Sequence, residues 1–333
     1  MNLVKLSVIM FLMVFSFSCT KSIKTKSSEA ILIGNYLGQE SPNNSAVIFA
    51  DGIVSTEFNE RDMTFSPNGN ECFYSLKGAS TYSIIHIIRV NNIWQKPEVA
   101  TFSGIYSDIE PCFSPDGKKL YFASNRPILE NGEVKDYDIW FVEMTDSGWA
   151  NPQNIGTPIS TEANEFYPSF TNDGTIYFCA RNNKSIGGED LFYSELIDGK
   201  YQEPKNLGDS INTVRDEFNA FVEPNGKYII FTSTGWGQGF GGGDLWISFR
   251  KENNEWQKPM NMGENVNSEY FEYCPSLSPD GKYLFFTSNK LSTIKNSNKK
   301  LTYKKIVEDL HSTLNGSQNI YWINKDFIQS LNK

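Results

Sequence analysis

Histidine is nearly missing from this chain. His86 and His311 are the only two in 333 residues, too few for a histidine-rich metal centre. No Gly-x-Ser-x-Gly stretch occurs, which removes the nucleophile elbow of the α/β-hydrolases. No Walker-type loop occurs either, so no phosphate cradle is expected. Beyond the first 18 residues no apolar run is long enough to cross a bilayer. Positive charge is in deficit: 30 Lys and Arg stand against 39 Asp and Glu, a net charge of −9. An acidic chain of this kind is a poor nucleic-acid binder. Cysteine is sparse, with five residues. Cys72, Cys112, Cys179 and Cys274 are irregularly spaced and fall in predicted strands. Buried free thiols therefore suit them better than disulfides, although an exported compartment would permit the latter.

What the chain has instead is a turn that returns five times. It reads Thr64-Phe65-Ser66-Pro67-Asn68-Gly69, Cys112-Phe113-Ser114-Pro115-Asp116-Gly117, Ser169-Phe170-Thr171-Asn172-Asp173-Gly174, Phe221-Val222-Glu223-Pro224-Asn225-Gly226 and Ser276-Leu277-Ser278-Pro279-Asp280-Gly281. A period of about 50 residues signals a propeller, solenoid or array. Within one unit a short extended run is followed by Pro115-Asp116-Gly117, where Pro fixes φ and Gly accepts a positive one. Lys119-Leu120-Tyr121-Phe122 is a second strand and Asp138-Ile139-Trp140-Phe141 a third. Gly148-Trp149 opens a fourth, and Trp94, Trp149 and Trp256 recur there as blade packing. Four antiparallel strands per unit make a propeller blade. An all-β propeller of five four-stranded blades is expected over residues 46–333, with six as the alternative count. Residues 46–55 supply the missing fourth strand and linker of the last blade, closing the ring and removing free sheet edges. Residues 290–318 form an insertion between the second and third strands of that blade. In it Leu301, Tyr303, Ile306, Val307, Leu310 and Leu314 fall at helical spacing, predicting a short amphipathic helix that packs on the propeller surface or covers part of it.

The N-terminus carries Lys5, an apolar stretch over residues 6–17 and then Ser16-Phe17-Ser18-Cys19. This resembles a bacterial lipoprotein signal with a loose lipobox, and an ordinary secretion signal is the other reading. The resemblance implies a signal peptide over residues 1–18, a lipid on Cys19 and a tether over residues 19–45. The chain is then expected in the cell envelope, at the outer membrane facing the periplasm, touching the membrane through its lipid alone. Phe-Ser-Pro-Asp-Gly-Lys-x-Leu-Tyr-Phe followed by Asp-Ile-Trp resembles the WD40-like propeller repeat of TolB-type proteins. That resemblance covers nearly all of residues 46–323. It implies a fold and leaves the function open, because the family spans partner-binding periplasmic proteins, enzyme accessory domains and lipoproteins.

Topology places the blade-linking loops and the loops between second and third strands on one rim. Seven positions before each turn residue stands an acid: Glu60, Asp108, Glu165, Glu217 and Glu272. If the innermost strands carry them to the channel mouth, they would ring it and attract a divalent cation or a cationic ligand. Alternatively, each holds its own blade together. Arg126, Arg181 and Lys290 follow second strands and could reach over the mouth to a sugar acid, or pair with the acids. The loop 235–243 is glycine-rich but leads into a strand, so it is no dinucleotide site. It could expose Trp236 and Phe240 for stacking, or fold Trp236 back onto the blade. The expected function is non-catalytic binding of an envelope protein or glycan by a monomeric domain without cofactor. The alternative is a glycoside hydrolase or lyase using the five acids, which would need two carboxyls in unlike environments.

Overall fold

A computed structural model describes residues 32–129, 132–292 and 300–332. The predicted signal peptide, Cys19 and most of the tether lie outside these residues. Leu32–Lys333 form one compact unit.

Five antiparallel sheets follow one another around a ring. Blade 1 begins with Glu60–Phe65, blade 2 with Asp108–Phe113, blade 3 with Glu165–Phe170, blade 4 with Glu217–Val222 and blade 5 with Glu272–Leu277. These first strands neighbour one another all the way round, the fifth next to the first. They therefore surround the axis, as the sequence predicts. Each turn into the second strand is built by its own side chains. Ser114 Oγ donates to Asp116 Oδ1 at 2.7 Å, and the Gly117 amide, with φ at +70°, closes onto the Ser114 carbonyl at 2.9 Å. Only glycine takes that φ without strain.

The ring closes as expected. Val47–Ile48 pairs with Asn319–Asn324, the third strand of blade 5, so one sheet holds strands from both ends of the chain. Phe49 is fully buried there against Phe285 and Trp322, each at 5.1 Å between ring centres. Five hydrophobic clusters fill the five junctions between adjacent blades. All of them and the closure lie within residues 32–333, so this part has its own complete core and folds without the first 31 residues. The four cysteines Cys72, Cys112, Cys179 and Cys274 are free thiols.

The insertion helix, α1, spans Tyr303–Leu310. Thr302 caps it by accepting from the Lys305 amide. Its place in the chain is the predicted one, but the expected packing is not found, because none of its residues is buried. Leu314, just beyond it, packs against the core between blades 4 and 5.

Candidate functional site

The recurrent acids do not ring the mouth. Glu60, Asp108, Glu165, Glu217 and Glu272 are all buried, and none lines the cavity that opens there. Each turns into its own blade. Glu217 accepts from the Thr213 amide at 2.6 Å, from Thr213 Oγ1 at 2.9 Å and from Ser233 Oγ at 2.6 Å. Glu272 is held in the same way by Ser268 and Ser288, and Glu60 and Glu165 by Thr56 and Thr161. Four of the five thus tie a linker hydroxyl residue four positions back to the start of the first strand. Asp108 instead takes Ser103, Ser124 and the Arg126 guanidinium, the last at 2.6 Å. The acids carry linker geometry, which is why every blade has one.

The basic set also lies elsewhere than over the mouth. Arg126 is buried on Asp108. Lys290 is half-buried above the Tyr321 ring, 5.0 Å from its centre, and burial lowers its pKa. Arg181 lines a side cavity of about 340 Å³ with Glu162, Phe166, Glu189 and Asp216. Trp236 is folded back, its Nε1 donating to the Ile211 carbonyl at 2.7 Å. Phe240 remains exposed.

The axis is occupied by residues two positions after the acids. Asp62, Glu110, Tyr167, Asn219 and Cys274 all have positive φ, between 48° and 63°, and each first strand changes register around that residue. A bulge of this kind bends the strand and re-aims a side chain. The five meet across the ring. Arg61 Nη2 lies 2.7 Å from Glu110 Oε1, and Arg61 Nε lies 2.6 Å from Asp62 Oδ1. Asn219 Nδ2 donates to Glu110 Oε1 at 3.0 Å, and the Tyr167 amide to Glu110 Oε2 at 2.7 Å. Arg61 also approaches Cys274 Sγ at 3.3 Å, and the Tyr167 hydroxyl donates to the Pro275 carbonyl at 2.9 Å. One polar network thus joins all five blades at the waist of the channel.

Two cavities flank this waist, and Glu110 lines both. One, of about 370 Å³, opens on the turn side and is walled by prolines and aromatic rings such as Pro111, Phe113, Pro168 and Phe170. The other, of about 440 Å³, opens on the rim that the topology predicts. Its walls are Phe166, Phe218, Phe271 and Tyr273, and Arg61, Glu110, Glu189 and Asn219 contribute the polar groups. Phe218 and Phe271 stack at 6.1 Å. This cup can offer ring faces to a ligand and polar groups to orient it. Among the described residues no group of three or more His, Cys, Asp or Glu is placed to hold a metal ion.

Burial acts on several carboxyls at once. It pushes Glu110 up to about 8 against the pull of Arg61, and Glu165 up to about 8 against the Thr161 hydrogen bonds. Glu60, Glu189 and Glu217 are raised for the same reason. A raised carboxyl keeps its proton in the folded chain after the unfolded chain has lost it. The stability it contributes is complete below the unfolded value near 4.5 and is lost as pH rises through the folded value near 8. Thermal and urea unfolding at pH 5 and pH 8 should therefore show the protein less stable at pH 8, by on the order of 2–4 kcal/mol. Equal stability at the two pH values would mean that these carboxyls are ionised in the fold.

No protein-family model and no curated protein matches the sequence. Solved structures similar to it include TolB from Acinetobacter baumannii, at 14% identity and a TM-score of 0.44, matching 80% of this chain and 54% of that one. A thermostable family-43 glycoside hydrolase matches at 13% and 0.46, over 81% of this chain and 90% of the other. A puromycin-hydrolyzing peptidase of Mycobacterium tuberculosis matches at 11% and 0.42, over 74% and 40%. The chain thus spans about half the length of that TolB and less of the peptidase. At this level of likeness the fold rests on the blades themselves.

Proposed function

We propose that this protein is a non-catalytic binding module of the bacterial cell envelope, held by a lipid on Cys19, whose cup receives part of an envelope protein or glycan. The observation that carries this reading is the cup together with its surroundings. Exposed apolar side chains stand around the same rim: Phe58, Ile105 and Val214 on the linkers, and Leu129, Ile186 and Phe240 on the loops after second strands. Ile105 is 83% exposed and Val214 82%. Apolar tips gathered around a concave mouth mark an interaction surface. The remaining features of the reading are an outer-membrane position facing the periplasm and a monomeric propeller without nucleic acid or cofactor.

One observation favours catalysis as a second reading. Glu110 and Glu189 share the cup and are both raised by burial, as the acid of a glycosidase must be. Against it, both oxygens of Glu110 are already engaged, Oε1 by Arg61 and Asn219 and Oε2 by the Tyr167 amide. A carboxyl so occupied suits a fixed floor better than a proton donor.

The test is a thermal-shift screen of the full chain in detergent against envelope glycans, sugar acids and peptides. A ligand at 100 times its Kd adds about 2.7 kcal/mol. The expected result is a stabilising ligand whose effect disappears in Phe218→Ala and which is released unchanged. A glycan that is cleaved, with turnover lost in Glu189→Gln, would establish the enzyme instead. Mass spectrometry of the purified protein should find acyl chains on Cys19 and none in Cys19→Ser.

A further inference from the structure

We propose that α1 is a second membrane contact, laying its apolar stripe on an anionic lipid surface so that the junction of blades 5 and 1 meets the membrane. Tyr303, Ile306, Val307 and Leu310 fall within one stripe about 100° wide. Among the described residues it is largely uncovered: Tyr303 is 83% exposed and Leu310 61%, Ile306 and Leu301 are exposed too, and Val307 is half-buried. The opposite face is charged. Lys304 lies 3.7 Å from Glu308, and Lys305 lies 2.6 Å from Asp309. Pairs at this spacing support a helix in water, so α1 forms without a covering partner.

Charge indicates what covers it. Over residues 290–310 there are six lysines and two acids, in a chain where acids outnumber bases 39 to 30. A local excess of lysine beside exposed Leu, Ile and Tyr is the composition of a helix that lies in the interface of an anionic bilayer. A second copy of the chain fits less well. Eight helical residues extend only about 12 Å, and four side chains fall far short of the roughly 1,200 Å² that a stable protein interface buries. A lipid surface needs no complementary shape and accepts a few side chains.

The insertion is fastened to the linker between blades 5 and 1, with His311 Nδ1 at 2.8 Å from Glu57 Oε2 and Asn315 Nδ2 donating to the Glu57 carbonyl at 2.9 Å. The first described residues lie at the same junction but on the turn side, at the opposite end of the strands, where the Tyr36 hydroxyl donates to Asp280 and the Gly34 amide to the Asn92 carbonyl. Ile33 bridges to Ile93 of blade 1, and Tyr36 packs against Phe65 of blade 1 and Tyr283 of blade 5. The 13 residues from Cys19 to residue 31 reach at most about 45 Å. The position of the anchor rests on the reading above; the behaviour of the helix does not.

Residues 32–333, which lack the anchor, are mixed with vesicles of phosphatidylcholine alone or with equal parts phosphatidylglycerol and floated on a gradient. Partition should be roughly tenfold stronger onto the anionic vesicles. It should weaken with added salt and fall to the neutral level in the double variant Ile306→Asp, Leu310→Asp. Those side chains are exposed, so the variant should melt with the parent. Phe218→Ala, which disables the cup, should leave partition unchanged, keeping this result separate from that of the ligand screen. Absence of partition onto anionic vesicles would overturn the proposal, as would partition indifferent to the double substitution. A concentration-dependent dimer dissolved by the same substitutions would give the stripe to a second copy and overturn it equally.

Discussion

Replacing Arg61 by methionine is expected to destabilise the propeller by about 3–5 kcal/mol at pH 8. The guanidinium is the one cation among the waist contacts, touching Asp62 at 2.6 Å and Glu110 at 2.7 Å and lying 4.9 Å from the centre of the Tyr273 ring. Methionine keeps much of the volume but leaves two carboxyls in a site where Asp62 and Glu110 are both buried. Among the described residues Asp62 Oδ2 has no hydrogen-bond partner, so little remains to absorb a second loss. Breaking one side of a buried pair costs more than the pair contributes, because the survivor stays desolvated. Two further results distinguish this cause from simple loss of packing. The deficit should shrink at pH 5, where Glu110, raised to about 8, holds its proton. Adding Glu110→Gln and Asp62→Asn to Arg61→Met should recover most of the loss. Urea unfolding of the variants at both pH values measures all of this, and a deficit equal at pH 5 and pH 8 would count against the electrostatic account.

The propeller itself was legible because its repeat is made of local rules. Proline, an Asp or Asn, and glycine in order make the same turn wherever they occur, and the turn sets the register of both flanking strands. Ring closure was legible from what was missing, since blade 5 lacked a fourth strand and residues 46–55 had no blade. The recurrent acids take the second of their two expected roles, each holding its own blade, for a related reason. A residue shared by all blades serves what all blades share, and Glu60, Glu165, Glu217 and Glu272 each serve a Thr or Ser four positions earlier. That hydroxyl was itself a readable signal. The site-forming position lies two residues on, where the repeat holds Asp62, Glu110, Tyr167, Asn219 and Cys274. Unlike residues at one repeated position are the trace of an axis where five blades must fit one another. Their positive φ could not be read, because none is glycine and only the bulge imposes it. For α1 the helical spacing was visible, whereas its lack of cover is a matter of tertiary placement that spacing does not encode.

Closure should be the point at which the ring fails most completely. Phe49 is fully buried, and its ring meets Phe65, Phe285 and Trp322 edge-on at 5.1–6.1 Å between centres. Phe49→Ala removes the side chain common to both sides of the seam and should cost about 3–5 kcal/mol. Backbone bonds hold the same place: the Phe49 amide donates to the Ile320 carbonyl at 2.8 Å, and Ser55 Oγ bridges both the amide and the carbonyl of Ile320. A chain beginning at residue 59 would lose all of this together. Asn319–Asn324 would become an open sheet edge, and Trp322 and Phe285 would lose their cover. An exposed, apolar edge strand pairs with whatever strand it meets. The chain from residue 32 should unfold in one cooperative transition and sediment as a monomer, whereas the chain from residue 59 should associate and melt without a sharp transition. Blades 1 to 4 keep every strand of their own sheets in that shortened chain. A sharp monomeric transition from it would therefore show that blade packing alone holds the ring, and that the seam adds only local order.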